Sequence, residues 1–515
     1  MTPATGEMFL EIGGHEGDLG FLAADASNPQ GLGPGVAYVR PELAPDRLEA
    51  YGGCAMILLS TGAERMSDGA VRALRLYVQN GGLLVFTGGT VTPILSDGRW
   101  SGLFPAQPGP PVMLRSDSVL RELTPRIGNS SKTPRVGSAY SVLTSKPLDG
   151  AGVMKDGDVD VVTAKPYGRG MAVFWAFDPL TDPIRSWSGL QGFFQRSAHT
   201  PVVGQDPHVS LPSDDNQVDP RMGMSYSSYS LRPYDDGIPG QEEAFHVTLP
   251  TAQKVGEILG LYLLFVIPIN FIVLQLIKRR QWGWFTGTFI SVVFAGIMLS
   301  QSKDLYGLKT SHSDRAVVVG QEGSDALVVT GQSQMFASSA GEYDLKWSGL
   351  DSIAPIEQYS YGSDGTDQGI VPFDPIDTGA MQVPAAKFSN LNFQQLWFTQ
   401  ILDQPDLVSL AKTGDGYSVA TSRNLENVVF VQHNHGPMMF LGNLTKGAHN
   451  LASITDKSPN TASPELSNLL TQVLNWLPKG NWAIVANAPG LPIGPDLGDR
   501  LKPDPILVYF GSLPK

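Results

Sequence analysis

Apolar positions along the chain follow three different periods, and the changes of period divide it into segments. Between residues 36 and 89 three short apolar runs, VAYV (36–39), CAMILLS (54–60) and LLVFT (83–87), alternate with helical spacing. The PDRLEA stretch reads as a helical turn. Ser67 is placed to cap a helix running to Asn80, with Val71, Leu74 and Val78 three or four apart and Gly81 just past the end. Continuous runs of strand length suit a parallel sheet covered by helices on both faces, so the pattern predicts β-α-β-α-β. Residues 96–140 read as a loop rich in Ser, Pro and Gly. The alternating segment 159–179, turning at Gly168 to Gly170, predicts a β-hairpin that returns to the same sheet, and 182–196 an amphipathic helix.

Periodicity is lost from 200 to 254, where Pro, Asp, Ser and Gly dominate, the composition of a linker. Charge then disappears. Residues 258–277 carry none, matching the roughly 20 apolar residues that cross about 30 Å of hydrocarbon at 1.5 Å per residue. A second uncharged run, 282–299, opens with Trp282 and Trp284, side chains that favour the headgroup level. Between the two lie Lys278, Arg279 and Arg280. Together residues 255–301 predict a transmembrane α-hairpin, and cations held on the cytoplasmic side put both flanking segments outside. Pro268 removes an amide donor and is expected to kink the first helix. Asn270 places an amide in the bilayer that seeks a freed carbonyl, the facing helix or a second membrane protein. Gly283, Gly287 and Gly296 would permit close helix approach. Ionisable residues are absent mid-span, which argues against an ion pathway.

Residues 302–515 return to short runs of β-branched and aromatic residues punctuated by Gly, Asn and Asp, predicting a mostly-β, sandwich-like domain. One helix is expected from 464 to 476, with Leu466, Leu469, Leu470 and Val473 on one face. The domain reading is thus 1–199, α/β; 200–254, linker; 255–301, hairpin; 302–515, β-rich.

Composition adds exclusions. A net charge of −13 without clustered Lys and Arg argues against nucleic acid. The single Cys54 excludes an intramolecular disulfide and a Cys-based zinc site. The opening MTPATGEMFLEIGG holds no cationic segment followed by an apolar stretch, so outward placement of 1–254 predicts a truncated or misassigned start with a signal peptide upstream of Met1.

The helix ending YVQNGG, followed by LLVFTGG, resembles the class I glutamine amidotransferase-like fold in its degenerate membrane-anchored form, over roughly the first 200 residues. In active members a cysteine nucleophile sits after this strand; here Thr87 stands in its place, without an adjacent base to activate it. Cys54 begins the preceding apolar strand and reads as a small hydrophobe. His199 and His208 form no recognisable catalytic pair, and Asp178, just past a strand, reads first as a turn cap. LYLLFVIPINFIVLQLIKRRQWGWF followed by SVATSRNLENVVFVQHNHGPMMFLGNLTKGAHN is similar to uncharacterised bacterial envelope proteins in which these three parts recur together. That resemblance implies architecture and proximity to ABC transporter genes.

No other segment supplies a constellation. Asp214, Asp215 and Asp219 lack EF-hand spacing. His433 and His435, two apart, would share a face on a strand, but HNHG sits where a hairpin turn is expected between VVFVQ and MMFLG, and no local carboxylate or thiol joins them as metal ligands. Asn443 to Thr445 fits a glycosylation sequon that a bacterial protein would not use. No catalytic residue, cofactor or metal is therefore assigned. The expected role is a non-enzymatic scaffold or accessory subunit of a membrane complex, an ABC transporter among the candidates, anchored in the inner membrane with both domains periplasmic and free to bind an envelope protein or glycan. An envelope amidase or hydrolase using the α/β domain, or a small-molecule sensor, are the alternatives.

Overall fold

The computed structural model describes residues 8–23, 35–90, 92–124, 134–148, 150–199, 252–306, 310–337, 339–355, 374–375, 381–388, 392–404, 406–413, 416–432, 438–451, 466, 469–470, 473, 477, 480–501 and 504–513. Among the described residues nine strands belong to the first segment: β1 (Met8–Ile12), β2 (Gly35–Val39), β3 (Cys54–Leu59), β4 (Leu83–Thr87), β5 (Ala106–Leu114), β6 (Tyr140–Pro147), β7 (Gly152–Asp156), β8 (Val159–Tyr167) and β9 (Gly170–Trp175). Seven form one sheet in the order β2-β1-β3-β4-β9-β8-β7. The first five are parallel, and β8 and β7 add antiparallel to the edge.

The apolar runs at 54–60 and 83–87 become β3 and β4 because both faces of the sheet are covered. On one face Phe86 meets Trp100 and Phe104, and Phe104 meets Phe174. On the other Trp175 packs against Phe193 and Phe194 of the helix Leu190–His199. Ser67 caps the helix Asp68–Gln79, its hydroxyl accepting from the Ala70 amide at 3.1 Å. Three readings need correction: the helix expected over 182–196 is confined to Leu190–His199, with turns and a bend over 181–189 before it. The supposed loop at 96–140 contains β5, which pairs with β6 as a two-stranded ribbon. Its three prolines are accommodated by a register shift between Pro108 and Pro111 and by the ribbon's free edges. The opening residues, read only for a missing export signal, supply β1 in the middle of the parallel sheet.

The last segment is β-rich, but its largest element is one mixed nine-stranded sheet. Its central strand Ser311–Gln321 runs antiparallel to Leu327–Ala337 and parallel to Ile506–Ser512. Alternate residues face opposite ways, as the pleat requires. Val318, Phe430, Ile484 and Leu507 share a core with Leu345, Trp347, Leu410 and Val419 of two smaller sheets. Val317, Val319, Val429, Val485 and Val508 face Leu466, Leu469, Leu470 and Val473, which are helical and buried. The sandwich expectation is thereby corrected to sheet against sheets on one side and helix against sheet on the other.

Between these segments stand the helix Ala252–Leu264, a π-turn Phe265–Ile269, the helix Asn270–Leu276 and, after a turn, the helix Gly283–Tyr306. Among the described residues one continuous helical stretch, Gly256–Leu276, is long and apolar enough to cross a membrane. Of the two spans expected within residues 255–301, one is thus supported by length and composition. The second apolar run ends at residue 299 and its helix continues into the polar SQSKDLY.

The first and last segments are docked on each other. The Gln79 amide, fully buried, donates to Val319 O at 2.8 Å and Ala326 O at 2.9 Å, and its oxygen accepts from Ser324 Oγ at 2.7 Å. The Gly168 amide donates to Gln321 Oε1 at 2.7 Å, while Arg72 pairs with Asp325 and Asp403. Asp351 reaches back to the start of the 3-10 helix Leu48–Tyr51, accepting from the Leu48 amide at 3.2 Å and the Glu49 amide at 2.7 Å. Ala326 and Val328 join the core of the first segment.

Candidate functional site

In the parallel sheet the order of strands reverses between β1 and β3, the place where open α/β sheets hold ligands beyond the strands' carboxyl ends. Glu11 lies there near the end of β1, buried, and its Oε1 accepts from Ser60 Oγ at 2.9 Å. Burial pushes the Glu11 carboxyl up to about 8, the Ser60 hydroxyl pulling it back and the charges of Asp18 and Asp178 adding to the rise. Glu11 therefore holds its proton to a much higher pH than a free glutamate does. The chain after β1 turns through Gly13 and Gly14 at φ 90° and 64°, and any Cβ on Gly14 would collide with Glu11 Oε1. Asp18 closes the cluster, 3.3 Å from Arg185 and accepting from the His15 amide at 3.1 Å.

Of the residues singled out by sequence, Asp178 lies near this cluster, Cys54 lies at the other end of the sheet opposite Met8, and among the described residues none completes a catalytic unit with Glu11. Thr87 is buried at the end of β4, and its hydroxyl donates to Leu59 O at 3.2 Å. The strand end above it is filled: the Gly88 and Gly89 amides donate to Phe177 O and Ala176 O, and Ser141 Oγ donates to Gly89 O. Cys54 begins β3, its thiol pushed up to about 12 by burial. Asp178 caps the next turn, accepting from the Leu180 amide at 2.9 Å, and burial raises its carboxyl. His199 ends the helix Leu190–His199. His208, Asp214, Asp215, Asp219, His433 and His435 lie outside the described residues. Asn443 accepts from the Asn427 amide at 3.1 Å, a turn contact. Among the described residues no three His, Cys, Asp or Glu converge as metal ligands.

The helix pair forms the second candidate region. Pro268 sits inside the π-turn, where the Asn270 amide donates back to Phe265 O, the wider turn accommodating the missing proline donor. Asn270 Oδ1 accepts from Thr286 Oγ1 at 2.7 Å, and the hydroxyls of Tyr262 and Ser291 lie 3.0 Å apart. Asn270 thus finds its partner on the facing helix. Gly283 and Gly287 face Leu274 and Asn270, whereas Gly296 faces open space. Lys278, at φ 57°, turns the chain; Arg279 lies over Trp282 and Arg280 over Phe271. Trp282 and Trp284 are exposed.

Glu11 and Gln79 are the residues that sequence reading missed. A Gly-Gly pair directly after MFLEI is the signal that marked β1 and its carboxylate; nothing local distinguishes Gln79 from a solvated helix residue.

No protein-family profile matches the chain, and no curated protein matches it. Among solved structures, a β-galactosidase from Rahnella sp. R3 is similar over 37% of this chain and 30% of its own, at 15% identity and a TM-score of 0.22. An exo-β-1,4-mannosidase from Opitutaceae bacterium strain TAV5 is similar over 39% of this chain and 36% of its own, at 12% identity and a TM-score of 0.23. The yeast δ-COP-I μ-homology domain is matched over 40% of this chain and 96% of its own, at 10% identity and a TM-score of 0.17. The chain therefore spans about a third of either glycosidase, and likenesses this distant identify no family for it.

Proposed function

We propose that the chain is a membrane-anchored scaffold or accessory subunit of a bacterial envelope membrane complex, an ABC transporter being the partner class the sequence resemblance suggests. In this reading a helical hairpin holds two docked domains on the outer face, where they bind an envelope protein or glycan. The observation that carries it is the contact of the first and last segments through buried Gln79 and Asp351. Segments that share a buried hydrogen-bonded interface lie on one side of a bilayer, so a chain that leaves through Gly256–Leu276 must return before residue 310. The helix Gly283–Tyr306 holds the uncharged run that would serve as the return. A cytoplasmic turn at Lys278 to Arg280 follows from the positive-inside rule. The hydrogen bond of Thr87 to Leu59 O and the filled end of β4 favour binding over hydrolysis in the first domain.

Site-directed labelling tests the arrangement. Cys54 is buried, so single cysteines placed at exposed Leu43, Glu342 and Arg280 report the sides of the membrane. A membrane-impermeant maleimide added to intact spheroplasts should label Leu43→Cys and Glu342→Cys, and Arg280→Cys only after lysis. Labelling of Leu43→Cys and Glu342→Cys from opposite sides, or extraction of the protein by alkaline carbonate without detergent, refutes it.

A further inference from the structure

Lys278, Arg279 and Arg280 are exposed at the turn between the apolar helices, and among the described residues none of them pairs with a carboxylate. The Arg279 guanidinium lies 5.7 Å from the Trp282 ring centre, and that of Arg280 6.0 Å from the Phe271 ring centre. A guanidinium at this distance is attracted by the ring face, and its planar fork of N–H donors matches the oxygens of a phosphate. We propose that this turn binds the headgroup phosphate of acidic glycerophospholipids, a proposal that rests on the membrane reading above.

Charge complementarity selects an anion, and the flanks select a lipid. Leu276 and Ile277 are 77% and 60% exposed, and Trp284 78%. A free phosphate ion would leave this apolar rim in water, whereas acyl chains cover it while the phosphate meets the three cations. The rest of the chain is acidic, with the whole at −13. Acidic lipid therefore repels the domains and is attracted at this turn.

The test uses the full chain, purified in detergent and reconstituted into vesicles of phosphatidylcholine alone or mixed with phosphatidylglycerol. Lipid retained by the protein is then read by native mass spectrometry. Wild-type protein should retain phosphatidylglycerol over phosphatidylcholine by at least about fivefold, and the triple variant Lys278→Gln, Arg279→Gln, Arg280→Gln should lose that preference with an unchanged melting curve of its outer domains. Equal retention by wild type, or an undiminished preference in the variant, overturns the proposal. Displacement of the retained lipid by inorganic phosphate alone also overturns it, assigning the site to the free ion. Failure to float with phosphatidylcholine vesicles overturns the membrane reading and this proposal together, a result distinct from flotation without lipid preference.

Discussion

Glu11 shows how one residue links burial to a measurable property. Its carboxyl is held up to about 8, against 4.5 for the free side chain, chiefly because burial disfavours the charged form. The folded state thus keeps a proton that the unfolded chain releases near 4.5. The sign follows: its contribution to stability is complete below about 4.5, declines as the pH rises towards 8, and is flat beyond. Glu11→Gln keeps the hydrogen-bonding shape without the titration. Its melting temperature should change less across this window than that of wild type; parallel curves for the two proteins would show that another group sets the dependence. Sequence alone marks Glu11 only as an acid in an apolar run beside Gly13 and Gly14. Its raised pKa arises from burial, with the charges of Asp18 and Asp178 adding to it against the opposing bond from Ser60, and only folding brings Ser60 and Asp178, 49 and 167 positions away, to its side.

At the scale of elements, local rules account for most of the α/β segment. Ser67, the Val71–Leu74–Val78 spacing and Gly81 specify the helix Asp68–Gln79 from within, and the apolar runs specify β3 and β4. The 3-10 helix Leu48–Tyr51 differs, because Arg47 at its start makes no side-chain cap and the distant Asp351 supplies one. Asp351→Ala should strip both amides of their acceptor, at a cost of about 1–3 kcal/mol. Hydrogen exchange at Leu48 and Glu49 should accelerate more than in the core of β3; unchanged protection there would refute the cap. The ribbon β5–β6 marks the limit of local reading, since AQPGPPVML carries the composition of a loop and becomes a strand because β6 offers it a partner.

For the whole molecule, the interface between the first and last segments is the decisive feature. Gln79→Ala would remove three buried hydrogen bonds across this interface, to Val319 O, Ala326 O and Ser324 Oγ, of which the last two keep their bond to each other at 3.1 Å, at a cost of about 1–3 kcal/mol. A protease site inserted between residues 200 and 250 provides the measurement. After cleavage in mild detergent, the first segment should co-elute with the remainder, and Gln79→Ala should raise the fraction that separates by tenfold or more. Complete separation of the wild-type halves would remove the interface, and with it the argument that both domains share one side.

The sequence by itself determined those parts whose cause is local or repeats along the chain. These are the apolar helix at 256–276, the cationic turn, the Pro268 and Asn270 irregularity, the buried strands β3 and β4, and the β-rich last segment. Solvation and backbone geometry act on neighbouring residues, so their pattern is written in order along the chain. Only the tertiary structure decided where β1 and β5 pair, that the last segment centres on one mixed sheet, that Thr87 spends its hydroxyl on a backbone carbonyl, and that Gln79 and Asp351 join the two outer segments. Each of these depends on which distant groups lose water together, and a linear pattern does not encode that partnership.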